Sequence, residues 1–488
     1  MAFRDEAHLK VVFFVDRLPQ ALQRWVMAFT YLVSLAVFVV ILRLGWLQVA
    51  DEIWLGVTTQ SMGVPVWYFT MGMPVGAAVV VLRILQALWR TVRGGTAAAA
   101  PGERSTVQEW TVAKFPLLAI PFFILAGVIM DKAGMAERIV RLMRVLVGHW
   151  PGGLGLVAVI VAVFWGAVSG SGPATVAALG TVLIPGMARP GYEKRFATAI
   201  ISATSELSIV IPPSIALIIY ATLANQSVRI MFMAGVVPGL VVGAILAALT
   251  VYLSMQRGYG GAARASRAEV VQALREAVWA LLAPVIILGG IYGGIFTPTE
   301  SAAVAVFYAL FVGLFVYKTL EFKQLFRHLA DAVAAASVIM IVVTLAGIFS
   351  WTAASIGVVD RISRAIMLLS DTPWLLILVL NLFLVVLGML LDAISVYYIF
   401  LPIFLPVVAA MGWHPVWFGI MMTVNLALGQ ITPPVAVNLY MGALISGIKL
   451  EELWSEVWRF AVATFVGLMV ISYVPSLSLW LPGLLGMR

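Results

Sequence analysis

Cysteine is missing from the chain altogether, and histidine occurs only at His8, His149, His328 and His414. The first absence excludes disulfides, thiolate metal sites and a cysteine nucleophile. The histidines are far apart in sequence and none belongs to an HExxH pattern, which removes zincin chemistry. No GxxxxGK[ST] stretch occurs, so ATP hydrolysis by the P-loop route is excluded as well. Charge is scarce: Asp, Glu, Lys and Arg make up 11% of the 488 residues, against about 25% in an ordinary soluble chain. The stretch before Trp25 mixes both signs of charge and lacks the form of a cleaved signal peptide.

What fills the space is apolar. Hydrophobic residues are 62% of the chain, more than folding alone hides from water, so lipid is part of the solvent. A spanning helix takes roughly 20 residues, and on that rule the apolar runs predict an all-α polytopic membrane protein with about a dozen membrane segments. The net charge of +8 comes from Lys and Arg in short breaks between apolar runs. These breaks lie at Lys132–Arg144, Arg189–Arg195, Arg257–Arg275, Lys318–Arg327 and Arg361–Arg364. That is the positive-inside pattern, a record of topology and not a nucleic-acid footprint.

Three regions follow from composition. Residues 1–90 read as a two-helix hairpin, Trp25–Leu42 and Val64–Trp89, with basic flanks. Residues 91–114, with GGTAAAAPGERST, read as a linker. Residues 115–488 form the main membrane region, interrupted only by short loops and a small amphipathic helix at Arg264–Glu276. No segment is long enough to house a soluble catalytic domain, and nothing suggests an enzyme.

The main region repeats itself. Pro185, Gly191 and Pro212-Pro213 recur as Pro406, Gly412 and Pro433-Pro434 at one offset of about 220 residues. Leu125-Ala126-Gly127 recurs as Leu345-Ala346-Gly347, and Gly134-x-x-Glu137-Arg138-Ile139 as Gly357-x-x-Asp360-Arg361-Ile362. Ordered landmarks at one offset predict two structural repeats, residues 115–256 and 331–480. Duplicated halves with interrupted helices point to a secondary transporter, whose sites lie where broken helices meet.

Within each half, certain residues cannot belong to an undisturbed helix. Ser169-Gly170-Ser171-Gly172-Pro173 interrupts an apolar run and predicts the tip of a re-entrant hairpin with arms Leu154–Val168 and Ala174–Met187. Hydroxyls and freed carbonyls there suit a hard monovalent cation; the other reading is a seam of small residues between close-packed helices. Asp392 falls opposite Ser171 in the second half, inside GMLLDAISVYYIFLP. A carboxylate in such a run coordinates, braces a hairpin tip, or reaches the interface from a helix end. Pro212-Pro213 and Thr432-Pro433-Pro434 break their helices at matching points. Ser205 and Glu206 precede the first break; Asn425, Gly429 and Gln430 precede the second and Asn438 follows it. They face a central cavity or serve as interhelical hydrogen bonds. Thr297-Pro298-Thr299-Glu300 reads as a loop with a capping-box start.

FPLLAIPFFILAG, GAVSGSGPATVAALG, IVIPPSIALIIYA, GIFTPTESAAVAV and GQITPPVAVNLY, in that order, resemble the large membrane subunit of tripartite ATP-independent periplasmic (TRAP) transporters. The resemblance runs from about Val107 to the C-terminus. HLKVVFFVDRLP and VPVWYFTMGMPVG resemble the C-terminal part of that family's small membrane subunit. The small-subunit part looks short of its first two helices, and the large-subunit part starts near FPLLAIP without the usual preceding segments, as in a shortened fusion.

The resemblance implies a multi-pass permease of the bacterial inner membrane, in contact with membrane lipid. It would import an organic acid, such as a C4-dicarboxylate, by an elevator movement driven by Na⁺. It implies no cofactor, a periplasmic substrate-binding protein as partner, and room for a separate small membrane subunit. By similarity the sodium ligands fall at Ser169, Gly170, Ser171, Gly172, Pro212 and Pro213, and at Asp392, Ser395, Gly429, Thr432, Pro433 and Pro434. Thr175, Ser205, Glu206, Asn425 and Asn438 are the substrate-facing candidates. Rival readings are an ion-coupled anion carrier that needs no binding protein, and a channel or structural membrane subunit.

Overall fold

The computed structural model describes residues 115–368 and 372–486, with isolated positions between 39 and 85. The expected helices Trp25–Leu42 and Val64–Trp89 and the linker 91–114 lie outside the described residues, apart from those isolated positions. Contacts divide the chain into two units, Met1–Glu109 with Leu329–Ile341, and Trp110–His328 with Val342–Arg488. In the first unit the described stretch is helical, with the Ser337 hydroxyl donating to the Val333 carbonyl at 2.8 Å. All that follows concerns the second unit.

Its described elements are all helical. α1 (Ala119–Lys132) and α2 (Met135–Val147) are bent from each other by 64°. α3 (Gly153–Ser169) and α4 (Gly172–Ala188) follow, then α5 (Lys194–Thr204), the single turn α6 (Leu207–Val210) and α7 (Ile215–Leu223). α8 (Val228–Gln256), α9 (Arg267–Tyr292) and α10 (Pro298–Phe311) come next, then the long α11 (Phe322–Ser355), whose Leu329–Ile341 stretch is counted with the first unit. The last third holds α12 (Val358–Met367), α13 (Pro373–Leu390), α14 (Ala393–Ala410), α15 (Pro415–Gly429), α16 (Val437–Ser446), α17 (Leu450–Tyr473) and α18 (Ser476–Leu484).

Eight helical segments among the described residues are long and apolar enough to cross a membrane, or nine if the bent pair counts as one span. The expected dozen segments include the two before residue 91, which lie outside the described residues, and the arms of the re-entrant hairpin. α3, α4, α15 and α16 are too short to cross by the same criterion. Two expected basic loops are also helices. In α2, Arg138, Arg141 and Arg144 recur every third residue on one side, while Met135, Ile139, Leu142 and Met143 are buried on the other. α12 is amphipathic in the same way, with Val359 buried and Asp360, Arg361 and Arg364 exposed. The amphipathic stretch expected at Arg264–Glu276 is the start of the 26-residue α9, begun by a Ser266–Glu269 capping box. Thr297 and Glu300 form the second capping box, as their spacing predicts.

The core explains where the breaks are tolerated. Lys194–Leu223, which contains the Pro212-Pro213 interruption, is almost wholly enclosed by protein. Phe196 and Tyr220 within it, and Trp165, Phe232, Tyr397, Phe404, Phe418 and Phe460 elsewhere, are among the large side chains fully buried. Backbone groups freed by a broken helix must be satisfied inside a bilayer, and enclosure by other helices is what allows it. The outer helices turn Val285, Phe307, Phe315, Leu382, Val386 and Val466 outward; such a surface is at home against lipid chains. Pro212-Pro213 and Pro433-Pro434 are both cis.

Candidate functional site

The Ser169–Pro173 segment does what its composition predicts. α3 ends at Ser169, and Gly170 follows in the left-handed region with φ 61°. Ser171 is extended and α4 begins at Gly172, with Pro173 in its first turn, where a missing N–H costs nothing. The observed arms, Gly153–Ser169 and Gly172–Ala188, match the expected ones to within two residues. Gly170 is required twice over: its φ disfavours a side chain, and a Cβ there would lie 2.9 Å from the Pro213 carbonyl oxygen. The hairpin tip is thus pressed against the first Pro-Pro break.

The same tip touches the second break. A Cβ placed on Gly172 would strike Gln430 Oε1 and would lie 2.6 Å from Asn438 Oδ1. Both of these side-chain oxygens are buried and have no hydrogen-bond donor. Asn438 donates from Nδ2 to the Ser202 carbonyl at 3.4 Å, and its backbone N–H reaches the Gln430 carbonyl at 3.0 Å. Ser202 Oγ, also buried and unpartnered, lies on α5 beside Gly442 of α16. Two oxygens without partners therefore meet where the start of α4 and the Gln430–Asn438 segment converge, and a third lies on α5 beside α16. Buried polar atoms are rarely left unpaired, so this cluster is the strongest mark of a ligand on the described chain.

Around it the other expected residues take clear places. Ser169 Oγ donates to the Ser171 carbonyl at 3.3 Å. Thr175, fully buried one turn into α4, accepts from Ser208 Oγ at 2.7 Å and so ties the hairpin to α6. Thr432 Oγ1 returns to the Leu428 carbonyl at 2.7 Å. Pro433 is half-buried and Pro434 exposed. Ser205, the residue after α5, donates back to the Ile201 carbonyl at 2.7 Å. Glu206 is buried and turns to α17, where Thr464 Oγ1 donates to Oε1; Oε2 has no partner. The structure gives neither Ser205 nor Glu206 a contact with the hairpin tip.

The second tip is built differently. α13 ends at Leu390, Leu391 and Asp392 are extended, and Asp392 caps α14. Its Oδ2 accepts from the N–H groups of Ile394 at 2.9 Å and Ser395 at 3.3 Å; its Oδ1 accepts from Ser395 Oγ. The side chain is exposed. Apolar neighbours in sequence suggest enclosure, but the helix break leaves the carboxyl at the molecular surface, where it braces the tip. Asp392→Ala is expected to cost about 0.5–2 kcal/mol, the usual worth of such a cap, read as a lowered unfolding temperature; Asp392→Asn keeps the cap and stays near the parent. Equal stability of all three would show that the cap contributes nothing.

The second tip abuts the second break through backbone. The Val435 N–H donates to the Met389 carbonyl at 3.1 Å, and Gly388 and Gly429 touch with no side chain between them. Beside this contact, Asn425 Nδ2 donates to Asn381 Oδ1 at 2.5 Å and Asn381 Nδ2 to Ser472 Oγ at 3.0 Å. Asn425 Oδ1 is left free. Reasoning from sequence missed Asn381, Ser202, Ser208 and Thr464. Asn381 carried a signal, a lone amide in the apolar run LVLNLFL; the hydroxyls carried none, since serine and threonine are common in any packed membrane helix. No group of three or more His, Cys, Asp or Glu able to hold a metal occurs among the described residues.

The chain is similar to known proteins over most of its length. Residues 62–477 match the DctM component of the tripartite ATP-independent periplasmic transporters, and residues 1–94 match the DctQ component. The C4-dicarboxylate TRAP transporter large permease protein DctM of Rhodobacter capsulatus is 38% identical over 390 residues, 77% of this chain and 89% of the relative. The isethionate TRAP transporter permease protein DctMQ of Oleidesulfovibrio alaskensis is 37% identical over 418 residues, 85% of this chain and 65% of the relative. The sialic acid TRAP transporter permease protein SiaT of Haemophilus influenzae is 32% identical over 444 residues, 90% of this chain and 71% of the relative.

Proposed function

Since the chain belongs to the tripartite ATP-independent periplasmic transporter family, as a large permease with a fused DctQ-like region in the bacterial inner membrane, we propose that it is a sodium-driven carrier that imports an organic acid. It is a transport permease and not an enzyme. The observation that carries the reading is the pair of donorless oxygens, Gln430 Oε1 and Asn438 Oδ1, held against Gly172 at a hairpin tip between two broken helices. Neutral carbonyl oxygens and hydroxyls suit a hard cation of single charge, and freed amides at helix starts suit a carboxylate. The relatives' names list a C4-dicarboxylate, isethionate and sialic acid; all are organic anions, which supports the substrate class and leaves its member open.

An elevator mechanism fits the packing. α16 lies against α4, and α7 lies against α14, so the helix after each Pro-Pro break supports the hairpin of the other half. Gly134 and Gly357, matched in the sequence repeat, both start an amphipathic helix from the left-handed region. These correspondences support two repeats that move as one body carrying the site between tips. A periplasmic binding protein delivers the substrate in this reading, with residues 1–90 as part of the scaffold, 91–114 as linker and 115–488 as the transport region. Uptake by proteoliposomes without any binding protein would favour a self-sufficient anion carrier.

Thermal unfolding of the detergent-purified chain in NaCl, KCl and choline chloride at equal ionic strength tests the coupling ion. A ligand at a hundred times its Kd stabilises the folded state by about 2.7 kcal/mol. A rise specific to sodium, abolished in the Gln430→Ala, Asn438→Ala double variant, is expected. Equal unfolding temperatures in the three salts would sink the sodium assignment.

A further inference from the structure

A second built site lies away from the hairpins. The end of α2, the following turn and the start of α9 line an open cavity of about 400 Å³, with Leu146, His149 and the exposed Arg264, Arg267 and Val271 among its walls. The cations are not neutralised from within. Of the nearby carboxylates, Glu269 accepts from the Ser266 N–H in the capping box at 2.7 Å, and Glu276 accepts from Arg141 at 2.5 Å. No acid among the described residues pairs with Arg264 or Arg267. His149 adds an independent observation: its Nδ1 is buried and has no hydrogen-bond partner.

The cavity is preformed. The Ala262 N–H donates to the Gly148 carbonyl at 2.8 Å and the Gly152 N–H to the Tyr259 carbonyl at 3.1 Å. These bonds pin the segment before α9 onto the turn after α2, and Gly261 sits directly over the His149 carbonyl. Beside the cations the wall turns apolar and outward: Leu146 is 41% and Val271 48% exposed. Two guanidinium groups, an imidazole and exposed aliphatic side chains in one cavity match an amphiphile with an anionic head. Basic pockets between helices on the cytoplasmic side are where such headgroups bind, and the excess of Arg in these connections assigns them to that side.

We propose that this cavity binds an anionic phospholipid of the cytoplasmic leaflet, its phosphate between Arg264 and Arg267 beside His149, its chains along Leu146 and Val271. The lipid fixes the start of α9 to the end of α2 at the membrane surface. The site lies outside the hairpin tips and is independent of the transported ion.

Native mass spectrometry of the full chain, released from nanodiscs of phosphatidylcholine doped with phosphatidylglycerol, tests this. Retained phosphatidylglycerol should exceed its share of the bilayer. Arg264→Gln with Arg267→Gln should lower that enrichment by about thirtyfold, roughly fivefold for each cation removed at the membrane surface. Arg264→Gln alone, in a segment outside any helix, gives the fivefold part should the double variant fail to fold. Arg264→Lys with Arg267→Lys should keep most of the enrichment. Arg189→Gln with Lys194→Gln, in another basic groove, beside Ile184 and Ile445, should leave it unchanged. Retention of the two lipids in their bilayer proportions, an unchanged Arg264→Gln, Arg267→Gln variant, or loss at Arg189 and Lys194 instead would each overturn the proposal. Displacement of the lipid by excess inorganic phosphate would do the same, because it would make the site one for free phosphate.

Discussion

Gly172→Val is expected to abolish uptake in proteoliposomes while the protein still folds. Its new side chain has to occupy the place where Gln430 Oε1 and Asn438 Oδ1 meet the hairpin tip, and Asn438 Nδ2 is only 2.9 Å from where the Cβ would stand. All three atoms end side chains that can swing aside, so the cost in stability is that of ordinary overpacking, about 1–3 kcal/mol. Function has no such latitude. Displacing positioned groups by about 1 Å costs roughly a hundredfold where a reaction depends on geometry, and an ion site made of few oxygens is at least as demanding. Uptake should therefore fall by about a hundredfold or more, and the stabilisation by sodium should vanish. Uptake within a few-fold of the parent would show that the tip does not carry the site.

Gly429→Ala should have the largest effect on stability. At this position the obstacle is backbone: the added methyl group would fall on the Gly388 carbonyl and lie 2.6 Å from its Cα. Neither α13 nor α15 has a flexible end to move there, so the two helices must part, disturbing the Val435–Met389 hydrogen bond and the Asn425–Asn381–Ser472 relay beside it. A loss of about 1–3 kcal/mol at least is expected from the overpacking. Gly289→Ala is the comparison, because its methyl group meets nothing within 4 Å and alanine favours a helix by about 1 kcal/mol. Unfolding in detergent should separate the two variants widely. Equal unfolding temperatures would mean that α13 and α15 are not held at the distance described.

Much of the local structure was legible because it rests on neighbours in sequence. Ser169-Gly170-Ser171-Gly172-Pro173 broke its helix where the small residues and proline demand, and the Thr297–Glu300 capping box formed on its spacing. The charge pattern of α2 was legible too, had the three-residue spacing of Arg138, Arg141 and Arg144 been weighed against the count of charges. What stayed hidden was pairing between apolar faces. Gly172, Gln430 and Asn438 meet across most of the chain's length, and an apolar run does not say which other run it will face. Asp392 shows the opposite limit. Its apolar neighbours describe depth in a bilayer, whereas exposure depends on which helices come to lie over it.

The crossing of α4 with α16 and of α7 with α14 has a consequence for biogenesis. Gln430 leaves the ribosome roughly 260 residues after Gly172, a delay on the order of ten to fifty seconds at ordinary rates of synthesis. For that interval the first hairpin exists without the helix that later covers it, and its serines and freed carbonyls must be sheltered by the insertion machinery or by early neighbours such as α3 and α5. The carrier is therefore unfinished until its last fifth is made, and a nascent chain arrested before Asn438 should be a substrate for membrane quality control, not a half-active permease.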